Sequence, residues 1–375
     1  MLVVGLVIGI GIGRMITPTS MPPSTTPSTV TMTASAVTVA QASAFSKLKV
    51  GLILPITPED YSWNYQADHS LKLLGSEFGF NFTVAENLFD GTAAEPVATQ
   101  WATQGYNVII GQGIQYQDMF IKIAPQFPNT LFLCVDCFKG GHDGVDPGNV
   151  GDVWWYMADG AYLMGMLAGN MTKTNKIGLV GGGRVPSIWA GHEAFKRGAL
   201  SVNPKVQFIE TWMPFSWADV AGAKKAAEEA ADQGADFVFS SGDGVDVGVR
   251  QAAAEKNIYC TGVYADASHL DPAHIVQSIV VHWDIAYLAA LADYIRGDYQ
   301  NIWLQADVFS GMVTLGAFGT AVPANIRAAL LEREIGMQTT NGLPFTLDFS
   351  CFDNANQPQC KPYTSCAAWA LTPSR

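Results

Sequence analysis

The sequence predicts an α/β protein built as two doubly wound lobes, on three observations. From Lys49 onward, short β-type runs alternate with amphipathic helical stretches. The alternation breaks once and then resumes as a second series. The strand cores are unbroken apolar runs, as in TLFLCV, rather than alternating ones. A strand of that kind is buried on both faces, which a parallel sheet with helices on either side provides.

In the first series KVGLILP reads as a strand, 62–78 as a helix, FNFTVAE as a strand, 94–104 as a helix, NVIIG as a strand, 117–127 as a helix and TLFLCV as a strand. A glycine-rich connection over 140–151 leads to a helix near 158–171. The second series runs KIGLVGG, a helix ending at Ser201, KVQFIETW, a helix over 219–233, DFVFSS, a helix ending at Lys256, and IYCTGV. IVQSIVV, a helix over 283–296 and WLQADVFSGMVTLGAF then add elements after the second lobe is complete, so the chain is expected to cross back. Repeated crossings make a hinge, and the cleft between such lobes brings the carboxyl ends of both sheets, the usual ligand edge, face to face. The expected division is 47–154 plus about 281–308 for lobe 1 and 155–280 plus about 309–345 for lobe 2. The remainder, 346–375, holds Cys351, Cys360 and Cys366 without periodicity and reads as a stapled surface extension.

Composition narrows the class. Charged residues are 14% and apolar residues 49% of 375, against roughly 25% charged in ordinary soluble domains, which points to an exported or cell-surface protein. A net charge of −12 with no basic cluster argues against nucleic acid and anionic membrane surfaces, both of which require a basic face. The first sixteen residues, MLVVGLVIGIGIGRMI, are apolar as far as Gly13 and fall short of the roughly 20 that span a bilayer. With the Ser/Thr/Pro-rich stretch 17–46 they read as an export or membrane-anchor segment and a tether that hold a folded domain outside the cell membrane. No Cys precedes Cys134 to carry a lipid.

The six cysteines are an even number, as an extracytoplasmic disulfide framework requires, with the pairing open. Cys134-Val135-Asp136-Cys137 also has the form of half a zinc site, but no second half stands at finger spacing. Its place after a strand, rather than at the start of a helix, speaks against redox catalysis. Asn81 and Asn170 head glycosylation tripeptides.

No catalytic constellation emerges. There is no GxSxG elbow, and no base–nucleophile pair can be assembled from spacing. The six histidines show neither HxxxH nor HExxH, so no metal and no cofactor are expected. Gly181-Gly182-Gly183-Arg184 lacks both phosphate-loop patterns and reads as a strand-to-helix turn that needs backbone freedom. What recurs is polar side chains at strand ends: Asp60, Asn64, Asp136, the run from Ser240 to Asp246, and Asp266. Each is equally suited to capping a helix or facing a ligand. Trp63 and Trp217 stand at comparable strand-to-helix turns, where two rigid rings could clamp a planar ligand.

From about Lys49 to Phe345 the chain resembles the basic membrane protein (BMP) family of ABC-transporter substrate-binding proteins, which includes purine-nucleoside-binding lipoproteins. The resemblance is carried by KVGLILPITPEDYSWNYQADHS, AYLMGMLAGNMTKTNKIGLVGG, SWAD with KKAAEEAADQGADFVF, and QNIWLQADVFSGMVTLGAF. It implies a type I periplasmic-binding-protein fold of two Rossmann-like lobes. It also implies a monomer, not an enzyme, that closes on a small molecule and delivers it to an ABC permease. By position it places stacking aromatics at Trp63 and Trp217 and a ligand-facing asparagine at Asn64, with Tyr65 beside it. Acidic strand ends fall at Asp136 and Asp266, and a glycine-rich turn at Gly244 and Asp246. The SWNYQ form and the QNIW run look most like an adenine-binding branch. Nucleoside binders tend to have a lysine near Val281 or His282, where this chain reads SIVVHWD. The resemblance therefore implies a free purine base over a nucleoside, with His282 in the ligand set. The alternatives are a receptor for a sugar or amino acid and a ligand sensor for a membrane signalling partner.

Overall fold

In the computed structural model, which describes residues 43–137, 147–340, 342–347 and 352, the strands form two six-stranded sheets. The first contains β1 (Lys49–Ile53), β2 (Asn81–Ala85), β3 (Val108–Gln112), β4 (Leu131–Val135), β5 (Val150–Trp155) and β11 (Trp303–Ala306), in the order β11-β5-β4-β3-β1-β2 and parallel throughout. The second contains β6 (Lys176–Gly181), β7 (Gln207–Trp212), β8 (Phe237–Ser241), β9 (Tyr259–Tyr264), β10 (Ile275–Val281) and β12 (Val313–Leu315), in the order β12-β10-β9-β8-β6-β7. Only β12 is antiparallel, to β10. Central strands β3, β4 and β8 are buried at every residue, which is the physical basis of their unbroken apolar sequence.

Helices α1 (Trp63–Phe78), α2 (Gly91–Thr103) and α3 (Gln117–Ile123) belong to the first series. Helices α4 (Ala158–Met171), α5 (Pro186–Val202), α6 (Val220–Asp232) and α7 (Asp243–Lys256) belong to the second. The chain passes between sheets after β5, after β10 and after β11. The second passage leads into α8 (Trp283–Arg296), which packs on α1. Helices α4 and α5 approach backbone to backbone. A Cβ at Gly165 or Gly198 would overlap the carbonyl of Phe195 or Tyr162, so glycine is required there.

Strand β5 lies across the end of the stretch read as a connection. Gly151 and the buried Asp152 interrupt its apolar run, and a Cβ at Gly151 would crowd Ile302. A further helix, α9 (Ala324–Thr339), occupies residues for which the sequence pattern predicts no element. Only Leu330, Glu334 and Met337 are buried along it, too few to print an apolar stripe. Helix α3 stops at Ile123 because Pro125 cannot donate, and a single 3-10 turn follows. Helix α2 starts earlier than its apolar residues suggest, at a cap where Asp90 accepts from the Ala93 N–H at 2.9 Å. The expected anchor segment, almost all of the tether and most of the cysteine-containing tail lie outside the described residues. Among the described residues no helix is long and apolar enough to cross a membrane.

Candidate ligand-binding site between the lobes

The turn after β1 is organised by one carboxylate. Asp60 accepts from the N–H groups of Ser62, Asn64 and Tyr65 at 2.9–3.0 Å and from Asn64 Nδ2 at 2.8 Å, satisfying the free donors at the start of α1. This fixes Trp63. Its Nε1 donates to the Gln112 carbonyl at 3.0 Å. Tyr264 and Trp283 meet it edge-on, with ring centroids at 4.9 and 5.1 Å.

Trp217 is fixed from the other lobe. Gly182 and Gly183 lie against its ring, where a Cβ on either would come within 3.1 Å of an indole carbon. The Gly244 N–H donates to its carbonyl at 2.7 Å. The glycine run after β6 is thus a seat for Trp217, in keeping with its reading as a bare turn.

Trp63 and Trp217 line one pocket at the facing strand ends. The first lobe adds Pro55, the segment from Gln112 to Gln115 after β3, and Asp136 after β4. The second adds Ile188 from α5, Asp243 at the start of α7 and Tyr264 at the end of β9. Three buried polar atoms in these walls have no protein partner: Gln112 Nε2, Gln115 Nε2 and Asp136 Oδ1. Two donors and one acceptor left open in an otherwise aromatic and apolar pocket mark where a ligand's polar edge belongs. Asp136 and Tyr264 also hold left-handed backbone conformations, with φ of 62° and 75°. Strain of that kind costs about 1–3 kcal/mol per residue and gathers at functional sites.

Hydrogen bonds join the lobes around the pocket. Ser62 Oγ donates to Asp246 Oδ2 at 2.6 Å, Asn64 Nδ2 to Asp243 Oδ2 at 3.0 Å, and Ser187 Oγ to Asp136 Oδ2 at 2.8 Å. Arg250 reaches across from α7 to the carbonyls of Asp60 and Tyr61 at 2.9 and 3.3 Å. Burial pushes Asp136 up to about 8 and Asp246 up to about 7, and raises Asp60 and Asp243 as well. Burial with Asp307 nearby takes Asp159, beside β11, to about 8.

These shifts have a signed consequence. A carboxyl group raised on folding binds more protons folded than unfolded, so its contribution favours the fold at low pH and is lost as pH rises through the folded value. His192 and His282 are lowered by burial and act in the opposite direction, but only below their ordinary value of 6.5. Between pH 6.5 and 8.5 the ligand-free protein is therefore expected to lose stability as pH rises. Each such proton contributes about 1.4 kcal/mol per pH unit at most. Thermal melts across that window check the direction, and a melting temperature that climbed toward pH 8.5 would contradict it.

The residues singled out in the sequence separate into three groups. Trp63, Trp217 and Asp136 line the pocket. Asn64, Gly244 and Asp246 stand behind its wall, where Asn64 and Asp246 join the lobes and Gly244 supports Trp217. Tyr65, Asp266 and His282 line a different groove, with Tyr61, His69, His269 and Asp284. Trp63 and Tyr65 diverge because two residues along a helix turn about 200°. Tyr65 stacks between Tyr61 and His69, with centroids at 4.2 and 5.4 Å. Asp266 is taken up by Ser268 and the Ala317 N–H, and His282 Nε2 lies 2.9 Å from Thr314 Oγ1. Of the pocket residues outside that set, Gln112, Gln115 and Tyr264 follow or end apolar strands, a positional signal that does not distinguish them from loop residues.

The structure also assembles a base–nucleophile pair that spacing did not reveal. His192 Nε2 is 2.8 Å from Ser241 Oγ, and its Nδ1 is 2.8 Å from Glu210 Oε1. His192 and Ser241 are fully buried, and His192 is stacked on Trp212. Neither lines the pocket. The trio thus ties α5 to β7 and β8, running from the buried Ser241 and His192 out to Glu210 at the surface of the edge strand. Cys134 and Cys137 are joined as a disulfide, which leaves no half zinc site, and Cys260 is free and buried.

Two α/β lobes with three crossings, meeting over a pocket at opposed strand ends, define the class of two-lobed solute-binding proteins. The family model for ABC transporter substrate-binding proteins of the PnrA-like (Bmp) type matches residues 47–333, and the chain belongs to that family. A purine-binding protein of Brucella abortus is 29% identical over 309 residues, covering 81% of this chain and 85% of its own. A putative ABC transporter glucose-binding protein of Haloferax volcanii is 25% identical over 275 residues, covering 73% and 68%. Among solved structures, an ABC transporter solute-binding protein from Conexibacter woesei superposes with a TM-score of 0.66 at 23% identity, covering 80% of this chain and 98% of that one.

Proposed function

We propose that this protein is the extracytoplasmic receptor of an ABC importer for a purine base of adenine type, held between Trp63 and Trp217. The observation that carries this reading is the set of open atoms on Gln112, Gln115 and Asp136 in a pocket that two indoles, one from each lobe, help to line. A purine offers the complement, with ring nitrogens to accept from the two amides, N–H groups to donate to the carboxylate, and two flat faces to stack. No Lys or Arg lines the pocket, which favours a base over a nucleoside or a phosphorylated ligand. Residues 47–154 with 281–308 and residues 155–280 with 309–345 act as the two bodies that hinge, and the closed monomer is what a permease would receive. The N-terminal segment is the membrane attachment.

A monosaccharide is the second reading, favoured by the two glutamine amides and by the Haloferax relative. A calorimetric and thermal-shift screen separates the two, using adenine, guanine, hypoxanthine, their nucleosides, glucose and common amino acids. A ligand of the folded state raises melting by mass action. A shift with free bases alone is expected. Shifts with nucleosides would move the reading to nucleoside transport, and shifts with glucose alone would remove the purine.

A further inference from the structure

We propose that the Cys134–Cys137 disulfide is a positioning element for the ligand site, holding the Asp136 carboxylate toward the pocket independently of lobe closure. The proposal rests on the reading of the pocket as a purine site. Asp136 lies inside the disulfide loop, one residue past β4, and its carboxylate lines the pocket. Two bonds hold the residue. Its N–H continues the ladder to the Val153 carbonyl at 2.7 Å, and Ser187 Oγ donates to Oδ2 at 2.8 Å. Ser187 belongs to α5, on the other lobe, and leaves when the lobes part.

What then aims Oδ1 is the backbone at residue 136, whose φ of 62° is a conformation that side-chain-bearing residues seldom adopt. The disulfide holds the flanking Cα atoms 5.6 Å apart across that residue. Both cysteines are fully buried, in one apolar cluster with Phe120, Phe132 and Ile109. The loop is thus clamped to the core of the first lobe rather than free at its rim. A clamp of this kind pre-arranges a ligand contact and lowers the ordering that binding requires.

The test compares the oxidised protein, the same protein after phosphine reduction, and a Cys134→Ala/Cys137→Ala variant. Reduction passes two electrons from the phosphine to the S–S bond and, with one water supplying the oxide's oxygen and both thiol protons, leaves two thiols and a phosphine oxide, with peptide mapping used to confirm that this pair has opened. Adenine affinity is measured by calorimetry, and Asp136 is located in a crystal structure of the variant. Expected are a roughly tenfold or greater rise in Kd in both forms lacking the bridge, a cooperative melt, and Asp136 displaced from the left-handed region. A Kd within about twofold of the oxidised protein, or a weaker Kd with Asp136 unmoved, would overturn the proposal. If the oxidised protein binds no purine, the ligand reading fails, while the crystal structure still decides whether the disulfide sets the Asp136 conformation.

Discussion

Trp217→Ala is expected to weaken purine binding by about 1–3 kcal/mol, roughly 5- to 150-fold, by analogy with base–aromatic stacking. Trp217 is also buried, at 8% exposure in the main apolar cluster, so the fold should lose stability too, but less than with Trp63→Ala, since its ring packs on the exposed Phe215 and the glycine turn. Trp63→Ala is expected to lose a similar amount of binding and also to destabilise the protein by about 3–5 kcal/mol, the usual range for removing a large buried aromatic side chain. The asymmetry follows from packing, because Trp63 is wedged against Tyr264, Trp283 and Trp155 and spends its N–H on the Gln112 carbonyl. Trp63→Phe keeps a stacking face and isolates the loss of that hydrogen bond. Titration calorimetry read beside thermal melts separates the two effects. Unchanged affinity in both alanine variants would remove the clamp.

Arg250→Met should lower affinity on the order of tenfold, chiefly through faster release, with the ranking of ligands preserved. Arg250 does not line the pocket. It joins α7 to the Asp60–Tyr61 turn of the other lobe, and its charge offsets part of the burial cost at Asp246. Without it the closed arrangement keeps its buried carboxylates but loses two cross-lobe hydrogen bonds and a balancing cation, so the open form gains population. A methionine fills the space of the stem, and Arg250→Lys keeps the charge while losing the two-pronged geometry, so lysine should fall between. Stopped-flow dissociation rates decide the matter, since an altered ligand ranking would mean that Arg250 acts on the ligand itself.

Much of the fold was legible because parallel sheets print an unambiguous signal. TLFLCV and DFVFSS are apolar throughout because both of their faces are covered, and DFVFSS leads straight into helix α7. Legibility failed where tertiary contacts replaced that signal. β5 carries Gly151 and the buried Asp152, suited to its neighbours rather than to strand statistics, and α9 buries too few side chains to show a stripe. In the site, Trp63 and Trp217 were readable as rigid rings at equivalent turns. Gln112, Gln115 and Tyr264 were not, because a polar residue beyond a strand looks the same whether it faces ligand or solvent.

The sequence alone determined the two-lobed architecture, the placing of polar residues at strand ends and the glycines that let backbones approach, since these depend on local periodicity and on side-chain volume. Only the tertiary structure decided which strand-end residues share a pocket. It sent Tyr65, Asp266 and His282 to a second groove, set Asp246 and Asn64 to joining the lobes, and brought His192 to Ser241 across 49 residues of chain. The reason is geometric: the direction of a side chain past the end of a strand is set by turn dihedrals and helix phase, and which lobe surface it then meets is set by how the crossings close, neither of which is fixed by residue type.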